Sequence, residues 1–142
     1  MRKFMVAGIL AALGLALLAT PASASFDHHF RVFEKLSFHE IDNGFRYRGK
    51  LFDPQNRHNR VGRDHGRCKF RHNAGRCRGT SHLNGEIGGF GDIKYRGNLR
   101  RGDTRLNVVG GSGDFNGVAG KSVFRDLNKS GTKEIVKFDL VR

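Results

Sequence analysis

From residue 27 onward, runs of alternating apolar and polar residues are separated by short stretches rich in Gly, Asn and Asp. In "FRVFEKLSFHEID" the even positions Phe30, Val32, Leu36 and Phe38 are apolar. In "FRYRGKLFD" the odd positions Phe45, Tyr47 and Leu51 oppose Arg46, Arg48 and Lys50. A period of two puts successive side chains on opposite faces, so each run reads as a strand with one wet face. Six further runs follow: "RVGRDHGRCKFR", "GRCRGTSHL", "GEIGGFGDIKYRGNL", "TRLNVVGG", "KSVFRDL" and "TKEIVKFDLV", divided by stretches such as "HNAG", "LNG", "RRGD" and "NKSG". No run has the 3.6-residue period of an amphipathic helix. Short strands so closely spaced predict an all-β sandwich or barrel. The 20 glycines suit tight turns and bends. With 12 phenylalanines and no tryptophan, the interior is expected to be built largely of Phe.

The first 24 residues follow a different rule. Arg2 and Lys3 precede the apolar run Val6 to Leu18, and Ala22-Ser23-Ala24 is a small-residue cleavage site. This is the form of a secretory signal peptide, too short and too soon closed by Pro21 to span a bilayer, for which about 20 apolar residues are needed. Cleavage after Ala24 leaves residues 25–142 as one domain. No cysteine stands at the cleavage point to carry a lipid. The mature chain keeps 24 of the 26 basic residues against 13 acids, a net charge of +11. The expected location is extracellular or periplasmic.

Both cysteines fall in the exported part, where an oxidising compartment favours a Cys68–Cys77 disulfide over two free thiols. If the two are directly opposed on antiparallel strands, Phe70 faces Gly75, Lys69 faces Arg76 and Arg67 faces Arg78. The turn then lies near His72-Asn73, and the Cα atoms of the bridge stand about 5.5 Å apart. That register gathers Arg67, Lys69, Arg76 and Arg78 on the face away from the sulfurs, where like charges across a ladder repel. Solvent and counter-ions offset the repulsion in one reading; a bound anion does so in the other. Residues 57–78 hold eight Arg or Lys, three His and one acid, Asp64, and such a patch attracts polyanions.

Gly110-Gly111-Ser112-Gly113-Asp114-Phe115, closing at Gly120, resembles the "GGTG-x-F…A-x-G" stretch of the dirigent and allene oxide cyclase barrel superfamily. "GKLFD" (49–53) is similar to its "G-x-L-x-D" strand end, and Val61-Gly62 follows in order. The cysteine pair resembles that of secreted bacterial members. Val118 stands where the family usually has alanine. The resemblance covers about residues 28–142 and implies an eight-stranded antiparallel β-barrel with an apolar cavity, trimeric in many plant relatives. It also implies a cyclase-like or coupling-guiding activity, for which Glu86, Tyr47 and Tyr95 are candidate cavity groups; as a rim carboxylate and two wall aromatics they need no such role. No catalytic residue is assigned.

Several near-motifs fail on physical grounds. "GGSGDFNGVAGKS" ends like a phosphate-binding loop, but Phe115 occupies the position of its first glycine and a strand-like run follows, not a helix. "DLNKSG" (126–131) begins like a calcium loop, yet Lys137 stands where the bidentate glutamate belongs. His28 and His29, taken with His39, point to opposite faces of a strand. Asn128-Lys129-Ser130 is a glycosylation sequon only in a eukaryotic source. No cofactor or metal is implied. The sequence reads as a secreted basic binding protein, its partner either an extracellular polyanion (an envelope polymer, acidic polysaccharide or nucleic acid) held by the hairpin, or an apolar small molecule in the barrel. An open apolar hole with one or two polar groups favours the second partner, and a filled one removes it.

Overall fold

A computed structural model describes residues 27–142, so the expected signal peptide lies outside the described residues. Eight strands, β1 (Asp27–Ile41), β2 (Gly44–Phe52), β3 (Arg60–Arg71), β4 (Ala74–Asn84), β5 (Phe90–Leu99), β6 (Thr104–Gly111), β7 (Ala119–Asp126) and β8 (Lys133–Val141), form an antiparallel meander. It closes when β8 pairs with β1, opposing Phe30 to Phe138 and Val32 to Val136. Closure leaves no free sheet edge. The eight alternating runs correspond to the eight strands, with one difference. Residues 85–89 form a loop ahead of β5, because Gly85, Gly88 and Gly89 take positive φ values of 96°, 74° and 133° that break the ladder.

Val32, Leu51, Leu83, Ile93, Val136, Phe138 and Leu140 are fully buried inside. The two ends of the barrel differ. At one end, Phe30 stacks on Phe138 with ring centroids 5.0 Å apart and meets Phe115 at 6.1 Å, closing the base. Phe115 belongs to a single 3₁₀ turn, Gly113–Phe115, inside the glycine-rich stretch after β6. Gly113 adopts φ 60° there, and a Cβ on it would come within 2.4 Å of the Phe90 carbonyl oxygen. The glycines thus fold the connection tightly enough to drive Phe115 into the barrel. At the other end the hairpins β1–β2, β3–β4, β5–β6 and β7–β8 surround an open mouth.

The β3–β4 hairpin has the register read from its cysteines: Arg67 opposite Arg78, Cys68 opposite Cys77, Lys69 opposite Arg76 and Phe70 opposite Gly75. His72 and Asn73 form the turn with φ of 47° and 64°, the double positive φ of a two-residue turn that matches strand twist. Cys68 and Cys77 are bonded, with Cα atoms 4.0 Å apart, closer than the expected spacing. Both sulfur-bearing residues are buried and face the barrel interior. Replacing both cysteines with alanine is expected to cost about 2–3 kcal/mol, since the bridge closes a loop of about ten residues, and to lower the melting temperature by about 10 °C. Calorimetry of the oxidised wild type and the double variant checks this; equal melting temperatures would show that the ladder alone holds the register.

Candidate functional site

Tyr47 on β2, Gly66 on β3, Gly79 on β4 and Tyr95 on β5 lie in one register row across four strands, all directed inward. The two glycines leave the space that the tyrosines use. A Cβ on Gly66 would lie 2.2 Å from the Tyr47 hydroxyl; one on Gly79 would lie 2.4 Å and 2.5 Å from the hydroxyls of Tyr47 and Tyr95. With that space free, the phenols lean over the glycine pair and their oxygens meet at 2.9 Å. Tyr95 then donates to Asp64 Oδ2 at 2.6 Å, and Ser81 Oγ donates to Asp64 Oδ1 at 3.1 Å.

Asp64 is the single acid of the basic segment, and it points inward because it shares the even positions of β3 with Cys68. Two further acids meet it inside. Glu34 and Glu134 are directly opposed where β1 closes on β8, and both are buried. Gly49, opposite Leu36 on β1, makes room for Glu34, whose Oε1 lies 1.6 Å from where a Cβ on that glycine would sit. Neither oxygen of Glu34 has a well-formed hydrogen bond, although the Asp64 and Glu134 carboxyls are near enough to disfavour its charge.

These carboxyls hold protons tightly. Burial is the main cause for each. It pushes Asp64 up to about 6, against the opposing pull of the Tyr95 and Ser81 hydrogen bonds. It pushes Glu134 up to about 7, with the negative charges of Asp126 and Asp64 adding to the rise. Glu34, the most enclosed, is held well above the ordinary carboxylate range by burial, then by Asp64 and Glu134. Burial and the Asp64 charge raise both phenols, so they stay neutral donors. Three carboxyls this close do not all ionise.

A cavity of about 400 Å³ opens from the mouth down to this cluster. Leu36, Phe45, Leu106 and Phe124 line its sides, together with the disulfide; Tyr47, Thr104 and Glu134 are its buried polar groups, and Arg100, Arg101 and Asp126 stand at its rim. Tyr47 and Tyr95 are therefore interior groups, and Tyr47 reaches the cavity. Glu86 does not: it sits in the exposed loop after β4, where Asn59 Nδ2 donates to it at 2.6 Å. The inward acids Glu34, Asp64 and Glu134 went unassigned in the sequence. The signal was present as charged residues in register with apolar ones: Glu34 fills the gap in the series Phe30, Val32, Leu36, Phe38, and Glu134 begins the series Val136, Phe138, Leu140.

Arg67, Lys69, Arg76 and Arg78 lie together on the outer face, as the hairpin register requires. Pairing with the flanking strands adds Arg46 beside Arg67 and Arg96 beside Arg78. His28 and His29 do point to opposite faces, His28 Nε2 meeting the Gly88 carbonyl oxygen and His29 lying between Asp27 and Asp139.

No family model and no curated protein matches this chain. Solved structures do. Pyocyanin demethylase matches with a TM-score of 0.59 at 18% identity over 79% of this chain and 98% of its own. A pterocarpan synthase dirigent protein matches with a TM-score of 0.61 at 13% identity, covering 82% and 84% of the two chains. An exo-specific intermolecular Diels–Alderase matches with a TM-score of 0.61 at 16% identity, covering 83% and 97%. The closed eight-stranded meander is thus similar in fold to these solved barrels.

Proposed function

We propose that this chain is an exported dirigent-like barrel that takes an apolar small molecule through its mouth and holds it against Tyr47 and Glu134, guiding a cyclisation or coupling. The observation that carries this reading is the open, largely apolar cavity with Tyr47 and Glu134 among its few buried polar groups, the usual composition of a small-molecule site. The solved barrels of like shape named above add to it, being named for reactions, not for binding a polymer. The cavity walls supply shape, and a neutral phenol and a carboxyl that titrates near 7 supply proton exchange.

The two polar ends are joined behind the cavity. From Tyr47 the contacts run through Tyr95 to Asp64 and, through the mutual influence of the acids, past Glu34 to Glu134. The roles follow from charge and from the hydrogen bonds already made: a protonated Glu134 donates to a basic ligand atom and its carboxylate accepts from an acidic one, while Tyr47, whose O–H is given to Tyr95 as Tyr95 donates to Asp64, accepts a hydrogen bond from a ligand hydroxyl.

Filling the cavity tests the reading. Leu106→Trp is expected to weaken binding of an uncharged apolar fluorescent probe such as N-phenyl-1-naphthylamine at least tenfold, while an outward change such as Val109→Ser leaves it unaltered. Equal probe affinity in both variants would place binding outside the barrel. The acids give a second test. The folded protein retains protons on Asp64 and Glu134 that the unfolded chain releases near pH 4, so these groups make stability fall as pH rises from about 4 through about 7. Glu134→Gln is expected to remove on the order of 3 kcal/mol of that fall. Denaturation midpoints at pH 4.5 and pH 8 measure it, and an unchanged slope in the variant would mean that Glu134 is not protonated in the fold.

A further inference from the structure

Arg46, Arg67, Arg78 and Arg96 are consecutive partners across β2, β3, β4 and β5, forming an unbroken row around the outside of the barrel. The parallel rows beside it are Gly44, Lys69, Arg76, Asn98 and Arg48, His65, Thr80, Lys94. Three adjacent rows thus carry eight cations and no carboxylate. Among the described residues, none of the four arginines forms an ion pair; the outer acids pair elsewhere, Asp103 with Arg125 and Asp139 with Lys137. Arg46, Arg78 and Arg96 are exposed and Arg67 is half-buried. Like charges directly opposed destabilise a ladder, and here the opposition is repeated at three successive strand pairs where a single acid in the row would relieve it.

We propose that this row is a binding site for a linear acidic polysaccharide, one sugar carboxylate to each arginine. Guanidinium groups match carboxylates in a planar two-point contact that a lysine ammonium does not make. Neighbouring strands are about 4.8 Å apart, close to the length of one sugar unit in an extended chain, so the four arginines offer about 15 Å of regularly spaced cation across the strands. The three rows contain no phenylalanine, tyrosine or tryptophan, and a single imidazole, His65. Single-stranded nucleic acid is held largely by stacking bases on successive aromatic platforms, and this surface offers it charge with one imidazole and no such series. The site faces away from the cavity and needs nothing from it.

The test uses the mature, oxidised protein and polygalacturonate, with its methyl-esterified form as the uncharged counterpart. Changing Arg46, Arg67, Arg78 and Arg96 together to glutamine is expected to weaken polygalacturonate binding about thirtyfold, four contacts each worth about two- to threefold. It should also make the dependence of log affinity on log salt shallower by about 3. Changing Arg31, Lys129, Lys133 and Lys137, which lie on β1, on β8 and in the β7–β8 loop, removes the same charge elsewhere and is expected to cost less than threefold. Thermal melts should find the row variant at least as stable as wild type, because repulsion is removed. If that variant does not fold, the pair Arg78→Gln and Arg96→Gln replaces it, with about a fivefold loss expected. Equal losses in the row and control variants would overturn the site, leaving only a diffuse field. Equal affinity for the esterified polymer would overturn it too, and tighter binding of oligo(dT) or duplex DNA than of polygalacturonate would overturn the polysaccharide assignment in favour of nucleic acid.

Discussion

An eight-stranded barrel encloses little more than the volume of its own inward side chains, so any polar group admitted to the interior must find its partners among the other inward groups. In this protein that constraint falls on three carboxyls and two phenols. Gly49, Gly66 and Gly79 relieve it by giving up their side chains. The vacated wall becomes the space in which Glu34 and the two hydroxyls sit. Transferring an ionised carboxylate out of water costs several kcal/mol, more than the Tyr95 and Ser81 hydrogen bonds return to Asp64. The acids therefore keep their protons to higher pH than exposed carboxyls do, Glu34 the longest.

The outer arginines do not change that balance. The shifts of Glu34, Asp64 and Glu134 are set by burial, by hydrogen bonds and by nearby carboxylates. The strand wall thus separates two electrostatic regimes. Inside, charge is suppressed by protonation; outside, it is left unneutralised in water. Alternation along single strands produces both at once, since Asp64 and Arg67 on β3, or Tyr95 and Arg96 on β5, are close neighbours in sequence with opposite directions.

Sequence alternation made the strands legible, and the cysteines made one hairpin legible down to individual pairs. What alternation cannot provide is the identity of partners from distant parts of the chain. Glu34 and Glu134 are a hundred residues apart and meet only because the barrel closes between β1 and β8. Arg46 and Arg96 join the hairpin arginines only through the registers of the neighbouring strands. The inward acids were within reach of a stricter reading, because a charged residue in phase with an apolar series points to the core whatever its solubility. The loop at residues 85–89 was harder: "GEIGGF" alternates like a strand, and the backbone leaves the ladder through glycine conformations that an alternating pattern does not encode.

The phenylalanine stopper at the base gives the barrel only one door. A ligand that enters through the mouth must leave by the same route, and a long molecule can enter only end-first or doubled back. In the proposed binding mode its leading end stops at Tyr47 and Glu134 while its tail remains in the opening. In a pocket of this form, which atom of the ligand meets the proton-bearing groups is set by the distance from its leading end. Molecules sharing a head group but differing in tail length would be handled alike, and moving the reactive atom along the chain would be felt at once.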